Sequence, residues 1–282
     1  MIHYSPIMNF FTHEDYYEFT RYLYYTSKHI SELKVNHDYF LSEWDKSVIS
    51  ISPCWLVVND NAPKYISSSR IYNLFSLSVW ALSPTELEIR YKLKEHDGVT
   101  CIFDRLMDNG IDKRKNEYEL DDLNSIKKYF KSFVKIFRTN KRLLLALDST
   151  FRGCTSYYWK VEFIMYAAAL EAILTYSRER GITKRLAKSY ACIMSDQNSI
   201  RDKLYREFYY LYDIRSEIMH GTYRKRKSKS NMINLSRITT LVRMMWQKIL
   251  SDKNLLTELE KNDSQREIYF KSIIGNYSPP KI

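Results

Sequence analysis

The spacing of apolar residues divides the 282-residue chain in two. Up to about residue 118 the apolar runs are short and mixed in period; beyond it they recur every three or four residues. In the first part, the stretch from about 14 to 34 is rich in Tyr and Phe (Tyr17, Phe19, Tyr22, Leu23, Tyr25) and predicts a helix. Val48-Ile49-Ser50-Ile51 and Trp55-Leu56-Val57-Val58 are bounded by Pro53 and by Asn59-Asp60-Asn61, and predict strands. Ile71 to Leu82 carries only partial alternation and stops before Ser83-Pro84. Leu87, Ile89, Tyr91 and Leu93 alternate cleanly, which predicts a strand, and Val99 to Phe103 reads as another. Nothing in this region has catalytic spacing.

A polar stretch around 108–119 changes the character of the sequence. Asp121 or Asp122 can cap a helix that carries Leu123, Ile126, Phe130, Phe133, Val134 and Phe137 on one face. A shorter helix follows from Thr139 through Leu147, and a long one opens at Ser156 or Tyr157 with Trp159, Phe163, Tyr166, Leu170, Ile173 and Leu174 in register. Gly181 breaks it, and Thr183 opens another with Leu186, Tyr190 and Ile193. A patterned segment then runs from about Ser199 to His220. After a basic loop, a last long helix carries Leu235, Ile238, Val242, Met245 and Ile249, and the tail from Asn276 reads as loose. The predicted class is α+β: a mixed region over 1–118, then an all-helical bundle over 119–282.

Charge sharpens this division. The net charge is +11, and it is one-sided: residues 1–150 hold 20 Lys+Arg against 20 Asp+Glu, whereas 151–282 hold 24 against 13. All the excess cation lies in the helical half, which suggests an anionic partner with RNA or DNA leading. The four cysteines, Cys54, Cys101, Cys154 and Cys192, lie far apart with no histidine at ligand spacing. That argues against structural zinc and against a disulfide framework. No apolar run spans a bilayer and no leader-like start is present, so a cytoplasmic protein without a membrane partner is expected.

The candidate chemistry sits at the end of the patterned segment, in Leu211-Tyr212-Asp213-Ile214-Arg215-Ser216-Glu217-Ile218-Met219-His220-Gly221. Leu204, Phe208, Leu211, Tyr212, Arg215 and Met219 recur at helical spacing, with Ile214 and Ile218 widening the stripe. Arg215 therefore stands where a Leu is expected, and a buried guanidinium is costly unless paired. His220 follows about 140° around the helix, and Gly221 suits a left-handed cap beside the negative end of the helix dipole. Arginine stays charged and grips phosphate with a planar fork, while histidine ordinarily titrates near physiological pH. Together they suit phosphodiester chemistry.

Three segments in order, Tyr166-Ala-Ala-Ala-Leu-Glu171-Ala-Ile-Leu, Ile182-Thr-Lys-Arg185-Leu-Ala and Leu211-Tyr-Asp-Ile-Arg215-Ser-Glu-Ile-Met-His220-Gly, resemble a HEPN domain of the Apea-like branch. The resemblance covers roughly 120–255. It implies a helical bundle, dimeric, that acts as a metal-independent endoribonuclease in toxin or phage-defence (abortive infection) systems, with no cofactor. It implies Arg215 and His220 as catalytic residues, and Glu171, Ser216, Arg185 and Tyr212 as supports. RNA would be cut to 2′,3′-cyclic phosphate and 5′-hydroxyl ends, and a two-fold dimer would bring two Arg215–His220 pairs into one cleft. An antitoxin or regulatory partner is possible in such systems. Three positions depart from the family: Ser216 stands where Asn or Asp is common, Thr222 where some toxins carry the Tyr that a nucleotidyltransferase antitoxin modifies (Tyr223 comes one later), and Ser189 where a second Arg is frequent.

Directly after the motif, Arg224, Lys225, Arg226, Lys227 and Lys229 put five cations in six residues, a phosphate track or simply a solvated loop. His3, His13, His29, His37 and His96 have no partners at useful spacing. Two other readings compete with the nuclease. In one, the HEPN module is catalytically silent and binds nucleic acid or a nucleotide. In the other, the bundle docks a protein partner, Arg215 is a structural ion pair with Glu171, and His220 is only a favourable C-terminal cation.

Overall fold

The computed structural model describes residues 2–27, 54–85, 87–94, 98–105, 115–176, 181–223, 228–275 and 277–281. Its class is α+β. Six strands, β1 (His3–Pro6), β2 (Tyr16–Thr20), β3 (Leu23–Thr26), β4 (Trp55–Val58), β5 (Glu88–Lys94) and β6 (Gly98–Arg105), form one sheet in the order β2-β3-β4-β1-β5-β6. Every pairing is antiparallel. Among the described residues, one helix, α1 (Ser68–Leu82), interrupts the strand sequence. The other described helices follow the sheet: α2 (Leu120–Thr139), α3 (Lys141–Cys154), α4 (Trp159–Leu174), α5 (Ile182–Met194), α6 (Asn198–Met219), α7 (Ser228–Ser251), α8 (Lys253–Glu260) and α9 (Asp263–Ile274). The chain forms two compact units that divide within α2, between Val134 and Lys135.

In the first unit, the sheet supplies one wall of an aromatic core. Phe10 stacks on Tyr118 at 4.6 Å between centroids, and Phe75 of α1 lies 5.9 Å from Phe10 and 5.0 Å from Phe19. The segment predicted to be a helix from 14 is instead the hairpin β2–β3, as far as residue 27; the remainder of that prediction and Val48–Ile51 lie outside the described residues. Phe19, Tyr22, Leu23 and Tyr25 are all buried, but from two adjacent strands and their turn, so their spacing imitates a helical stripe. The turn is held by the Thr20 hydroxyl, which accepts the backbone N–H groups of Tyr22 and Leu23. Aromatic residues are also strand formers, which was the better signal.

Ile71 to Leu82 is helical, and its apparent alternation has a physical source. Ser76 and Ser78 are buried among Leu74, Leu77, Val79 and Trp80, so the helix shows no polar face. The Ser78 hydroxyl donates to the Leu74 carbonyl four residues back at 2.6 Å, satisfying itself without a solvent-facing position. Trp55–Val58, Glu88–Lys94 and Gly98–Arg105 are strands, as their patterns predict.

In the second unit, α3 and α4 form an antiparallel hairpin. Arg142 at the start of α3 donates to the carbonyl of Thr175 just past α4, at 2.9 Å, while Gly153 near the other end touches Tyr166. A Cβ on Gly153 would lie 2.7 Å from the Tyr166 ring, so only glycine permits this approach. Helices α5 and α6 pair through Tyr190 and Phe208, whose rings lie 5.3 Å apart. Helix α7 packs against α4, α5 and α6, and two buried hydrogen bonds pin it: Trp246 Nε1 to Thr150 Oγ1 at 2.9 Å, and Tyr190 Oη to the Leu241 carbonyl at 3.1 Å. Arg237 of α7 also forks onto both carboxylate oxygens of Glu207 in α6.

Helix α7 is not the last. Helices α8 and α9 follow it, capped by Asp252 and Asn262, and Arg266 of α9 is fully buried. Its guanidinium donates to the carbonyls of Ile173 and Thr175 at the open C-terminal end of α4 and to that of Leu259 near the end of α8. The tail is not loose at Tyr277 either: its ring is buried and its hydroxyl donates to Asp202 at 2.9 Å. No described helix is long and apolar enough to cross a membrane. Cys54, Cys154 and Cys192 are buried and form no disulfide.

Candidate active site

Helix α6 ends where its sequence says it should. His220 is the C-cap, Gly221 adopts φ 70°, and the N–H of Thr222 reaches the Glu217 carbonyl at 2.9 Å while that of Gly221 reaches Ile218 at 3.3 Å. This double closure is the Schellman arrangement, and it leaves His220 exposed at the helix end. Just beyond, the Tyr223 ring lies 5.5 Å from Trp159 at the start of α4, with the Lys160 ammonium over both rings at 5.9 Å. Tyr223 is further fixed by a 2.6 Å hydrogen bond to Asn231 of α7.

The apolar stripe of α6 buries Tyr205, Phe208, Leu211, Tyr212 and Ile214. It frays toward the C-terminus, where Met219 is exposed, although its spacing placed it on the same face. Arg215 lies between these regimes. Its Nη2 donates to Oε2 of Glu171 on α4 at 3.3 Å, and both side chains keep about a quarter of their surface exposed (26% and 28%). The guanidinium sits over the Tyr212 ring at 5.3 Å, and that ring stacks on Phe208. Burial, then the charge of Glu171, pushes the Tyr212 phenol well above its ordinary pKa, so it keeps its proton. The hydroxyl lies near Glu171 without a well-formed hydrogen bond, and the buried Nε of Arg215 likewise has no acceptor.

Ser216 is half-buried, and its carbonyl accepts the His220 N–H at 3.0 Å. Arg185 is half-buried in the first turns of α5, and Ser189 on the same helix is buried. Arg224, Lys225, Arg226 and Lys227 lie outside the described residues, as do His29, His37 and His96. Lys229 belongs to the first turn of α7. The structure therefore gathers Arg215, Glu171 and Tyr212 into one cluster and sets His220 apart at the helix end. Among the described residues, no group of three His, Cys, Asp or Glu side chains could hold a metal ion.

One neighbour escaped the sequence reading. Glu171 also lines a groove of about 510 Å³ between α3 and α4, together with Lys141, Arg142, Leu145, Ala168, Ala172 and Thr175. No local pattern announces it, because its two walls come from different helices.

Compared with known protein families, with curated proteins and with solved structures, the chain matches none.

Proposed function

We propose that the helical unit is an endoribonuclease that cleaves RNA without a metal, with Arg215 on the scissile phosphate and His220 moving protons. The observation that carries this reading is the state of Arg215. It stands on the buried face of α6 yet is held by one hydrogen bond, with its Nε proton unpaired. Arg237, on the neighbouring helix, instead forks onto both oxygens of Glu207, as a purely structural pair should. The resemblance of the three segments to an Apea-like HEPN domain supports the same reading and suggests a toxin or phage-defence setting.

The chemistry follows from the residue types. The 2′-hydroxyl oxygen attacks phosphorus while its proton passes to a neutral imidazole. The bond from phosphorus to the 5′-oxygen breaks, and a protonated imidazole delivers a proton to that oxygen. Arg215 offsets the charge on the equatorial oxygens, and the products are a 2′,3′-cyclic phosphate and a 5′-hydroxyl. One imidazole cannot stand on both sides of the phosphorus, so a two-fold dimer would supply the second. The exposed position of His220 leaves it accessible to a second copy. The basic run at 224–229 would then contribute salt-sensitive affinity for the RNA backbone.

The test is RNA cleavage in EDTA by wild type beside His220→Ala, with end-group analysis. Cyclic phosphate ends, lost in a variant that melts like wild type, are the expected result. A second reading draws on the Arg215–Glu171 ion pair itself: a bundle that binds without cutting. It predicts that His220→Ala changes nothing, while Arg215→Ala unfolds the protein.

A further inference from the structure

Resting on the ribonuclease reading, we propose that the groove between α3 and α4 is a second RNA subsite, in which Lys141 holds the phosphate next to the scissile one and Leu145 supports the adjoining base. Glu171, the partner of Arg215, is one of the residues that line the groove, so the groove adjoins the proposed catalytic cluster. Lys141 and Arg142 line it beside Thr175.

These two cations are placed against the interest of their own helix. They occupy the first two positions of α3, whose first turn holds no acidic residue. The N-terminal end of a helix is its positive end, where cations destabilise and anions are favoured. The Asn140 side chain already accepts the N–H groups of Arg142 and Leu143, so the helix end needs nothing further from them. Arg142 is committed: it donates to the Thr175 carbonyl and pairs with Asp263 at 2.5 Å. Lys141 makes no ion pair or hydrogen bond with the described residues and is exposed. A free ammonium at a positive helix end is a placement that an external anion would repay.

The rest of the groove fits a nucleotide. Leu145 is 59% exposed and, with Ala168 and Ala172, gives a shallow apolar floor. Small side chains leave room for a flat base to lie on it, and stacking of this kind is tolerant of sequence.

The test uses Lys141→Glu and Leu145→Asp, each alone and in a His220→Ala background where binding is separable from turnover. Lys141→Glu should melt no lower than wild type, because it removes a cation from a positive helix end. Against a fluorescent single-stranded RNA oligonucleotide, its affinity should fall several-fold, and the slope of log affinity on log salt should flatten by about 0.7. In cleavage, KM for the oligonucleotide should rise with kcat unchanged, while a dinucleotide with a single phosphodiester should be cut as by wild type. Unchanged affinity and salt slope in a protein that cleaves RNA would overturn the subsite and leave the nuclease standing. Equal losses on the dinucleotide would move Lys141 to the scissile phosphate and overturn it too. A changed sedimentation coefficient in both variants would mean that a second copy covers the groove. No cleavage and no RNA binding by wild type would remove the ribonuclease reading itself, and the subsite with it.

Discussion

Glu171 and Arg215, 44 residues apart in sequence, meet at 3.3 Å across the α4–α6 contact, and each keeps roughly a quarter of its surface in solvent. That exposure decides what the pair can be. A fully buried pair broken from one side costs about 3–5 kcal/mol, whereas solvent-screened pairs contribute about 0–1 kcal/mol. The geometry, one contact and an unpaired Nε, belongs nearer the second case.

A double-mutant cycle with Arg215→Gln and Glu171→Gln should therefore give a coupling energy below about 1 kcal/mol in urea unfolding. Activity should respond differently: either substitution should depress RNA cleavage far more than it depresses stability. A coupling of several kcal/mol would return Arg215 to a structural role.

Gly153 is the hinge of packing between α3 and α4. Adding one methyl at this position places it 2.7 Å from the buried Tyr166 ring. Gly153→Ala should lower stability by about 1–3 kcal/mol, despite the gain in helix propensity. Combining it with Tyr166→Leu should recover part of that loss, which chemical denaturation of the four proteins can read.

Arg266 is the least replaceable charge in the helical unit. Burial, and then the nearby Arg142, push its pKa down to about 10, still well above physiological pH, so it is charged and closes three carbonyls. Arg266→Met should cost about 1–3 kcal/mol, because it removes three charge-assisted hydrogen bonds and leaves the Ile173 carbonyl without that donor in the interior. Hydrogen exchange should then show α9 and the end of α4 opening together. Arg266→Lys should rescue little, because one ammonium cannot reach the same set of acceptors.

Asp252 links stability to pH. The backbone N–H of Leu255, aided by Lys248 and Asn254, holds its carboxyl below the ordinary value of 3.8. A carboxyl whose folded pKa is lowered contributes stability above its unfolded pKa, and loses it as pH falls through the folded one. Asp252→Ala should thus cost about 0.5–2 kcal/mol at neutral pH, with the gap to wild type closing as pH drops below 3.8. Asp252→Asn should keep most of the cap at neutral pH.

Local signals fixed much of the helical half. The Leu186–Tyr190–Ile193 and Leu235–Ile238–Val242 registers each lay one face on the core, so period alone revealed them. Gly221 marked the end of α6 because only a residue tolerant of positive φ closes a helix in that way. The α+β class, three strands between residues 55 and 105 and the helix at 120–139 were legible from local patterns as well. Tertiary structure decided the rest. The β2–β3 hairpin hid behind aromatic residues whose spacing fits either period until Tyr24 and Val57 are seen paired across strands. Helix α1 hid because burial on all sides erases the polar face that a period needs. Arg215 was conspicuous in sequence as a charge on an apolar stripe. Glu171 was already its candidate partner there. That the two meet through a single hydrogen bond with the arginine Nε left over, and that Glu171 lines a groove with Lys141 and Leu145, depends on how the helices cross, and no spacing along one chain encodes a distance between two helices.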